Sequence, residues 1–257
     1  MPGSTHIAPD TESLFDALGN ALMSAALAAV EERGVFHVAL SGGGTPEPFY
    51  MRLVIDPIFR GLPWAKTHVW IVDERCVAED HEKSNIKMIR EALTDHVPTP
   101  RSQVHAMPVL DDDPATTYEA VLAEAFEMPP PVPTEVAPDA TFRGGYPRFD
   151  FILLGMGGDC HTASLFPESP ALTSSRWIDT NDGDKVVPPP RVTMTYPLIN
   201  AGRHVAVLAV GGGKTAALQR VADQHASGEP DIENVPISGI APKPGDLVWY
   251  LDEAAAG

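Results

Sequence analysis

VFHVALSGGGTPEPFYMRLV, Val35 to Val54, contains the unit from which the fold is read. Val35 to Leu40 is a short apolar run of the kind that forms a buried strand. SGGGTP follows at once. TPEPFYMRLV then reads as the start of a helix, with Pro46 in its first turn, where a missing N–H costs nothing. A strand, a glycine-rich turn and a helix in direct succession are one βα step of an α/β sheet.

The same alternation recurs on both sides. Asp10 or Thr11 caps a helix carrying Leu14, Phe15, Leu18, Leu22, Ala25, Ala26 and Ala29 at helical spacing, with Gly34 as its stop. THVWIVD is a second strand, ending in DER (Asp73 to Arg75), and a helix follows around Asn85 to Leu93. DPATTYEAVLAEAF is another helix, capped by Asp113. FDFILL, RVTMT, RHVAVLAV and DLVWYL read as further strands, and GGGKTAALQRVAD as loop then helix. The expected fold is a mostly parallel, Rossmann-like doubly wound sheet, with helices on both faces and a small peripheral β element. A single domain over 1–257 accounts for the chain, and the proline-rich stretch Glu127 to Arg148 reads as an exposed loop.

Composition narrows the function. The 257 residues carry a formal charge of −17, which opposes nucleic acid or an anionic membrane as partner. A small anionic substrate remains open if basic residues gather locally. No apolar run approaches the roughly 20 residues that span a bilayer, and the N-terminus shows no signal-peptide pattern. Two cysteines, Cys76 and Cys160, fit a reducing compartment, so the expected location is the cytoplasm. The expected state is a monomer, with a weak homodimer as the alternative.

In doubly wound sheets, ligands bind at the carboxyl ends of strands. Four informative stretches fall there: SGGGTP, DER, GMGGDCH and GGGK. Ser41, Gly42, Gly43, Gly44 and Thr45 offer hydroxyls, close backbone approach and a helix N-terminus to an anion. The loop is neither a P-loop nor G-x-G-x-x-G. Asp73 is a candidate for proton transfer and Arg75 a planar fork for an anion. His161, just past a strand and two residues from Asp159, is the best general-base candidate among nine histidines. Cys160 beside a histidine suggests a thiol nucleophile, but sequence neighbours usually point apart, so the thiol is not taken as the catalytic group. Arg191 and Lys214 stand at strand or loop ends and become anion ligands if a phosphate occupies the site. The sequence contains no recognisable metal-binding motif, and no cofactor is expected.

Five stretches together carry a resemblance: LSGGGTP; VDERCV with KSNIKM; FDFILLGMGGDCHTASLFPESPAL; PPPRVTMTYPLINAGRHVAVLAVGGGK; and, weakly, NVPISGI. In this order they resemble the bacterial type of the 6-phosphogluconolactonase family, within the wider glucosamine-6-phosphate deaminase superfamily. The resemblance implies hydrolysis of 6-phospho-D-glucono-1,5-lactone in the pentose phosphate pathway, on a small anionic sugar-phosphate lactone. It implies a phosphate-holding set of Thr45 with its loop, Arg191 and Lys214. It implies a catalytic and sugar-binding set of Asp73, Arg75 and His161, and the glycine loop around Gly157 belongs to the same site. Asp159 or Asp73 would orient the histidine or the water.

One departure stands out. Cys160 replaces the glycine the family usually carries before its histidine, which strains the backbone if that position needs positive φ. A second comparison separates relatives: deaminases usually carry a glutamate where this chain has Phe166, a side chain incapable of acid–base work. The remaining alternatives are an isomerase or deaminase of sugar phosphates and a non-catalytic sugar-phosphate sensor.

Overall fold

The computed structural model describes residues 1–129, 145–182, 190–228 and 230–257. Most of the proline-rich stretch Glu127 to Arg148 lies outside the described residues.

The main sheet has seven strands: β1 (Ser4–Ala8), β2 (Phe36–Leu40), β3 (Thr67–Ile71), β5 (Val104–His105), β6 (Phe151–Gly155), β9 (His204–Ala209) and β10 (Asp246–Asp252). The spatial order is β1-β10-β9-β6-β2-β3-β5, and every pairing is parallel. A smaller antiparallel sheet joins β4 (Asp73–Arg75), β8 (Arg191–Met194) and β7 (Ile178–Asn181), with β8 in the middle. The doubly wound parallel sheet and the peripheral β element are both present.

The chain winds outward from β2 through β3 to β5, then returns to place β6 on the other side of β2 and continues to β9 and β10. The direction of winding therefore reverses between β2 and β6. A crevice opens where the loops after two such strands diverge, and ligands settle there. The stretches after β2 and β6 are SGGGTP and GMGGDCH.

Two layers cover the sheet. On one face α1 (Thr11–Arg33), α2 (Glu47–Ile55) and α3 (Asn85–Ile89) pack on Val38, Leu40, Val69, Ile71 and Leu153. On the other, α4 (Pro114–Ala125), α5 (Tyr196–Asn200), α6 (Thr215–Ser227) and α7 (Glu253–Ala256) pack on Ala39, Trp70, Ile152, Leu154, Val207 and Trp249. Alternate residues of β2, β3 and β6 thus serve opposite faces, as the strand period requires. Each fully buried leucine or valine contributes about 1.5–3 kcal/mol.

α1 begins and ends as its sequence predicts. The Asp10 carboxylate accepts from Ser13 N at 2.8 Å, and Gly34 closes the helix in the left-handed region, its N–H donating to Val30 O. One expectation is corrected. By length and composition α1 is apolar enough to cross a membrane, with a mean hydropathy of 1.4 over its window. Asp16, Gly19, Asn20 and Ser24 interrupt its apolar residues, so no continuous run shows, yet the average stays high. Its stripe of Leu14, Phe15, Leu18, Leu22, Ala26 and Ala29 is packed on the sheet.

Other boundaries shift. DER is not simply the end of β3: Val72 N donates to Leu40 O, Met194 N donates to Val72 O, and Asp73–Arg75 then forms a strand of the second sheet. RVTMT belongs to that sheet as well. α3 is short and runs into a π-helical turn, Arg90–Thr94. β1, β5 and β7 were not expected. β1 is a mostly exposed edge strand and β5 has two residues, so neither shows an apolar run.

Candidate active site

The loop after β2 is built in from both sides. Ser41 N donates to Leu153 O on β6 at 3.1 Å, and the Tyr50 hydroxyl reaches back from α2 to donate to Ser41 O at 2.7 Å. Gly42 lies against Asn85: a Cβ at position 42 would fall 1.9 Å from Asn85 Oδ1, so only glycine fits. Thr45 is part-exposed, and α2 starts two residues later with no side-chain cap, leaving its first N–H groups available. The Ser41 hydroxyl is buried with no partner among the described residues.

In β4 the side chains alternate. Glu74 is structural. It accepts from Arg75 N, Asn85 N, Ile86 N and the Ser84 hydroxyl, and so ties β4 to the start of α3. Burial pushes its carboxyl up, against those backbone hydrogen bonds, and neighbouring Asp73 adds to the rise. Asp73 and Arg75 occupy the other side of the strand. Asp73 is buried, its Oδ2 accepts from the Ser164 hydroxyl at 2.6 Å, and its carbonyl accepts from Asn85 Nδ2 at 2.7 Å.

Arg75 donates through Nη1 to Lys83 O at 2.6 Å, and its Nε has no partner among the described residues. Strand register sets it directly opposite Arg191, while Asp73 stands opposite Thr193. Arg191 is only 7% exposed. Burial and then the charge of Arg75 lower its pKa, and Asp73 acts in the other direction. Two guanidinium groups in register, one of them buried, gather positive charge at one place in a protein that is otherwise strongly acidic.

The loop after β6 carries the histidine. Gly157 N donates to His161 O, Cys160 N donates to Gly157 O, and the Thr162 hydroxyl donates to Gly155 O. Gly157 is pressed on the imidazole: a Cβ there would lie 2.2 Å from His161 Nδ1. Asp159 Oδ1 accepts from His161 N at 3.1 Å and lies 2.6 Å from His161 Nδ1. Two residues' separation therefore does allow a direct Asp–His pair, because the bend turns both side chains to one side. Burial pulls the Asp159 pKa up, but the hydrogen bond and charge of His161 outweigh it and bring it down to about 2. Phe166 covers the imidazole with ring centroids 4.6 Å apart.

Cys160 has φ 71°, so the strain expected from a non-glycine residue at this turn is present. Its thiol is fully buried, points to Ala217 O at 3.6 Å, and has its pKa raised by burial. That is the environment of an inert packing thiol.

Lys214 closes the site from the fourth side. Its Nζ donates to Met156 O at 2.7 Å, which draws the GGGK loop onto the loop after β6. Asp252 at the end of β10 fixes the loop's base by accepting from Gly211 N at 2.9 Å.

All the site residues singled out in the sequence stand on these four connected stretches except Arg191, which lies on β8 and pairs in register with Arg75 of DER. Hydrogen bonds join DER to the GMGGDCH segment through Ser164, and GGGK to it through Met156; Asn85 joins SGGGTP to Asp73. Sequence reasoning passed over Tyr50, Asn85, Ser164, Asn181 and Thr193. Asn85 and Ser164 lie inside the stretches that carry the family resemblance, but nothing in their residue type announces a partner. Among the described residues no group of three or more His, Cys, Asp or Glu is placed to hold a metal ion.

A parallel sheet whose winding reverses, with an Asp–His pair in the loop after β6 and two arginines in register on a small second sheet, defines an α/β protein with the frame of a ligand-binding class. The family described as glucosamine-6-phosphate isomerases/6-phosphogluconolactonase matches residues 9–249, and the chain belongs to it. The 6-phosphogluconolactonase of Synechocystis sp. is 42% identical over 231 residues, spanning 88% of this chain and 86% of that one. The 6-phosphogluconolactonase of Nostoc sp. is 37% identical over 259 residues, spanning 99% and 98%. Among solved structures, 6-phosphogluconolactonase from Leishmania guyanensis aligns with a TM-score of 0.79 at 26% identity, over 99% of this chain and 98% of that one.

Proposed function

We propose that this chain hydrolyses 6-phospho-D-glucono-1,5-lactone to 6-phospho-D-gluconate, as a step of the oxidative pentose phosphate pathway. Similarity to named lactonases over nearly the whole chain supports the reaction. The observation that carries the mechanism is the Asp159–His161 pair in a loop that Ser164 ties to Asp73, on the strand whose Arg75 stands in register with Arg191. One pair suits proton transfer and the other suits a phosphate.

Asp159 occupies Nδ1 of His161, so Nε2 is the nitrogen left to act on substrate. His161 Nε2 takes a proton from water as the water oxygen bonds to C1 of the lactone. The carbonyl π electrons move onto oxygen and give a tetrahedral oxyanion. That oxyanion collapses, the bond from C1 to the ring oxygen breaks, and the leaving oxygen takes the proton back from Nε2. The new carboxylic acid then loses its proton to solvent. Asp159 stabilises the imidazolium in between. Arg191 and Lys214, with Ser41, Gly42, Gly43, Gly44 and Thr45, hold the phosphate far from C1, so that anchoring puts the carbonyl in register with the water. Arg75 binds the sugar, and Asp73 orients the water.

Phe166 favours the lactonase over the deaminase reading. It packs against His161 at a tilt and has no proton to move. The test generates the lactone in situ with glucose-6-phosphate dehydrogenase and reads 6-phosphogluconate with its own dehydrogenase, against spontaneous hydrolysis. Acceleration is expected, with no turnover of glucosamine 6-phosphate. Lactone hydrolysis at the spontaneous rate would overturn the proposal.

A further inference from the structure

Ser164 has no solvent exposure, and all its polar groups are used on the small sheet. Its N–H donates to the Thr193 hydroxyl at 3.1 Å, on β8. Its carbonyl accepts from Asn181 Nδ2 at 2.8 Å, on β7. Its hydroxyl donates to Asp73 Oδ2 at 2.6 Å, on β4. One residue thus touches each strand of that sheet.

It also stands three positions after His161, across a turn held by the Thr162 hydroxyl on Gly155 O and by a bridge between Thr162 and Leu165. Ser164 is therefore the joint between the sheet that carries Asp73 and the loop that carries His161. Its backbone bonds set the distance between the two. Its hydroxyl does something separate: it takes one carboxylate oxygen of Asp73 in a short, charge-assisted bond. No described residue donates to the other oxygen, Oδ1.

We propose that Ser164 is a positioning residue for the hydrolysis: its hydroxyl holds Asp73 in one rotamer, so that Oδ1 orients the attacking water toward the carbonyl. This rests on the lactonase reading above. Ser164 itself touches no substrate and acts through Asp73.

Ser164→Ala removes the hydroxyl and leaves both backbone bonds in place, so the loop keeps its path. The expected result is a kcat lowered about 10-fold, as for one lost hydrogen bond to a charged group, with KM within twofold of wild type. In an Asp73→Ala background the same substitution is expected to change kcat by less than twofold, because the group it positions is gone. Ser164→Cys keeps a weak donor of similar volume; it is expected to fall between wild type and Ser164→Ala, and it carries the test if Ser164→Ala does not fold. Wild-type kcat in Ser164→Ala would overturn the proposal. So would a raised KM at unchanged kcat, or a full 10-fold loss persisting without Asp73, since a merely structural serine would behave that way. If Asp73→Ala alone turned over lactone normally, the role of Asp73 in the reaction would fall and this inference with it. If Asp73→Ala is impaired and the two losses multiply, only the positioning role of Ser164 falls.

Discussion

At the amino-terminal ends of β2 and β3 and on β5, His37, His68 and His105 pack among aromatic rings; just past the carboxyl end of β6, His161 pairs with a carboxylate. His105 stacks on Trp70 at 3.7 Å, and His37 lies 4.2 Å from Phe126, centroid to centroid. Trp70 Nε1 donates to His37 Nδ1, and His68 Nδ1 and His105 Nε2 share one hydrogen bond at 3.0 Å. Burial, then the neighbouring imidazoles and Arg33, bring the His37 pKa down to about 3; burial, then His68, bring His105 down to about 4; burial lowers His68. These rings are neutral packing elements. His161 is part-exposed, keeps Asp159 on Nδ1 and lies in the loop that follows β6. In the proposed mechanism the same side chain is structure at one end of the sheet and chemistry at the other, and its neighbours make the difference.

The strongest way to break this contrast is to remove the imidazole at the reactive end. His161→Ala is expected to lower kcat/KM for the lactone by about 100-fold or more, with the thermal midpoint little changed. Midpoint and rate falling together would return His161 to the packing class. Asp159→Asn sharpens the claim that a carboxylate makes the difference. It keeps the side-chain shape and removes the charge that steadies the imidazolium, so kcat is expected to fall about 10-fold or more; an unchanged kcat would make Asp159 a loop-shaping residue only.

At the other end the contrast predicts stability rather than rate. In the folded chain His37 and His105 resist protonation down to about 3 and 4, while in the unfolded chain they titrate near the ordinary 6.5. Between those values the unfolded state binds more protons, so stability rises with pH and is lost as pH falls below about 6.5. Each such histidine contributes a slope of about 1.4 kcal/mol per pH unit. His37→Asn, which can still accept from Trp70, should flatten the slope of unfolding free energy between pH 6 and 4.5 by up to one proton while changing kcat less than threefold. Urea unfolding at several pH values measures it, and identical slopes would contradict the cluster's role. The smallest effect belongs to Cys160→Gly. It relieves a positive φ worth about 1 kcal/mol and gives up a buried thiol of similar value. Turnover should stay at wild type and the midpoint should move by no more than a few degrees; loss of turnover would bring the thiol back into the mechanism.

Much of this was legible in the sequence, for physical reasons. Phe36 to Leu40 and Phe149 to Leu154 are buried on both faces, so they read as apolar runs broken only by His37 and Asp150, and the glycine-rich turns after them mark strand ends. Asp10, Asp113 and Gly34 cap helices by local geometry alone. What the sequence hid depends on distant partners. DER gives no sign that it pairs with RVT, because antiparallel register across more than a hundred residues leaves no local trace. The Asp159–His161 bond depends on a bend that periodicity does not report. Ser164 looked like an ordinary small residue until β4, β7 and β8 were seen to meet on it. The three packed histidines read as any others would, since only tertiary contact makes them aromatic neighbours.

The most direct test of the account is a crystal structure of the wild-type protein with the product, 6-phosphogluconate, bound. The account predicts the phosphate on Arg191, Lys214 and the Ser41–Thr45 loop, and the C1 carboxylate about 3–3.5 Å from His161 Nε2. A product lying with its phosphate against His161, or bound away from the β2–β6 switch point, would contradict it.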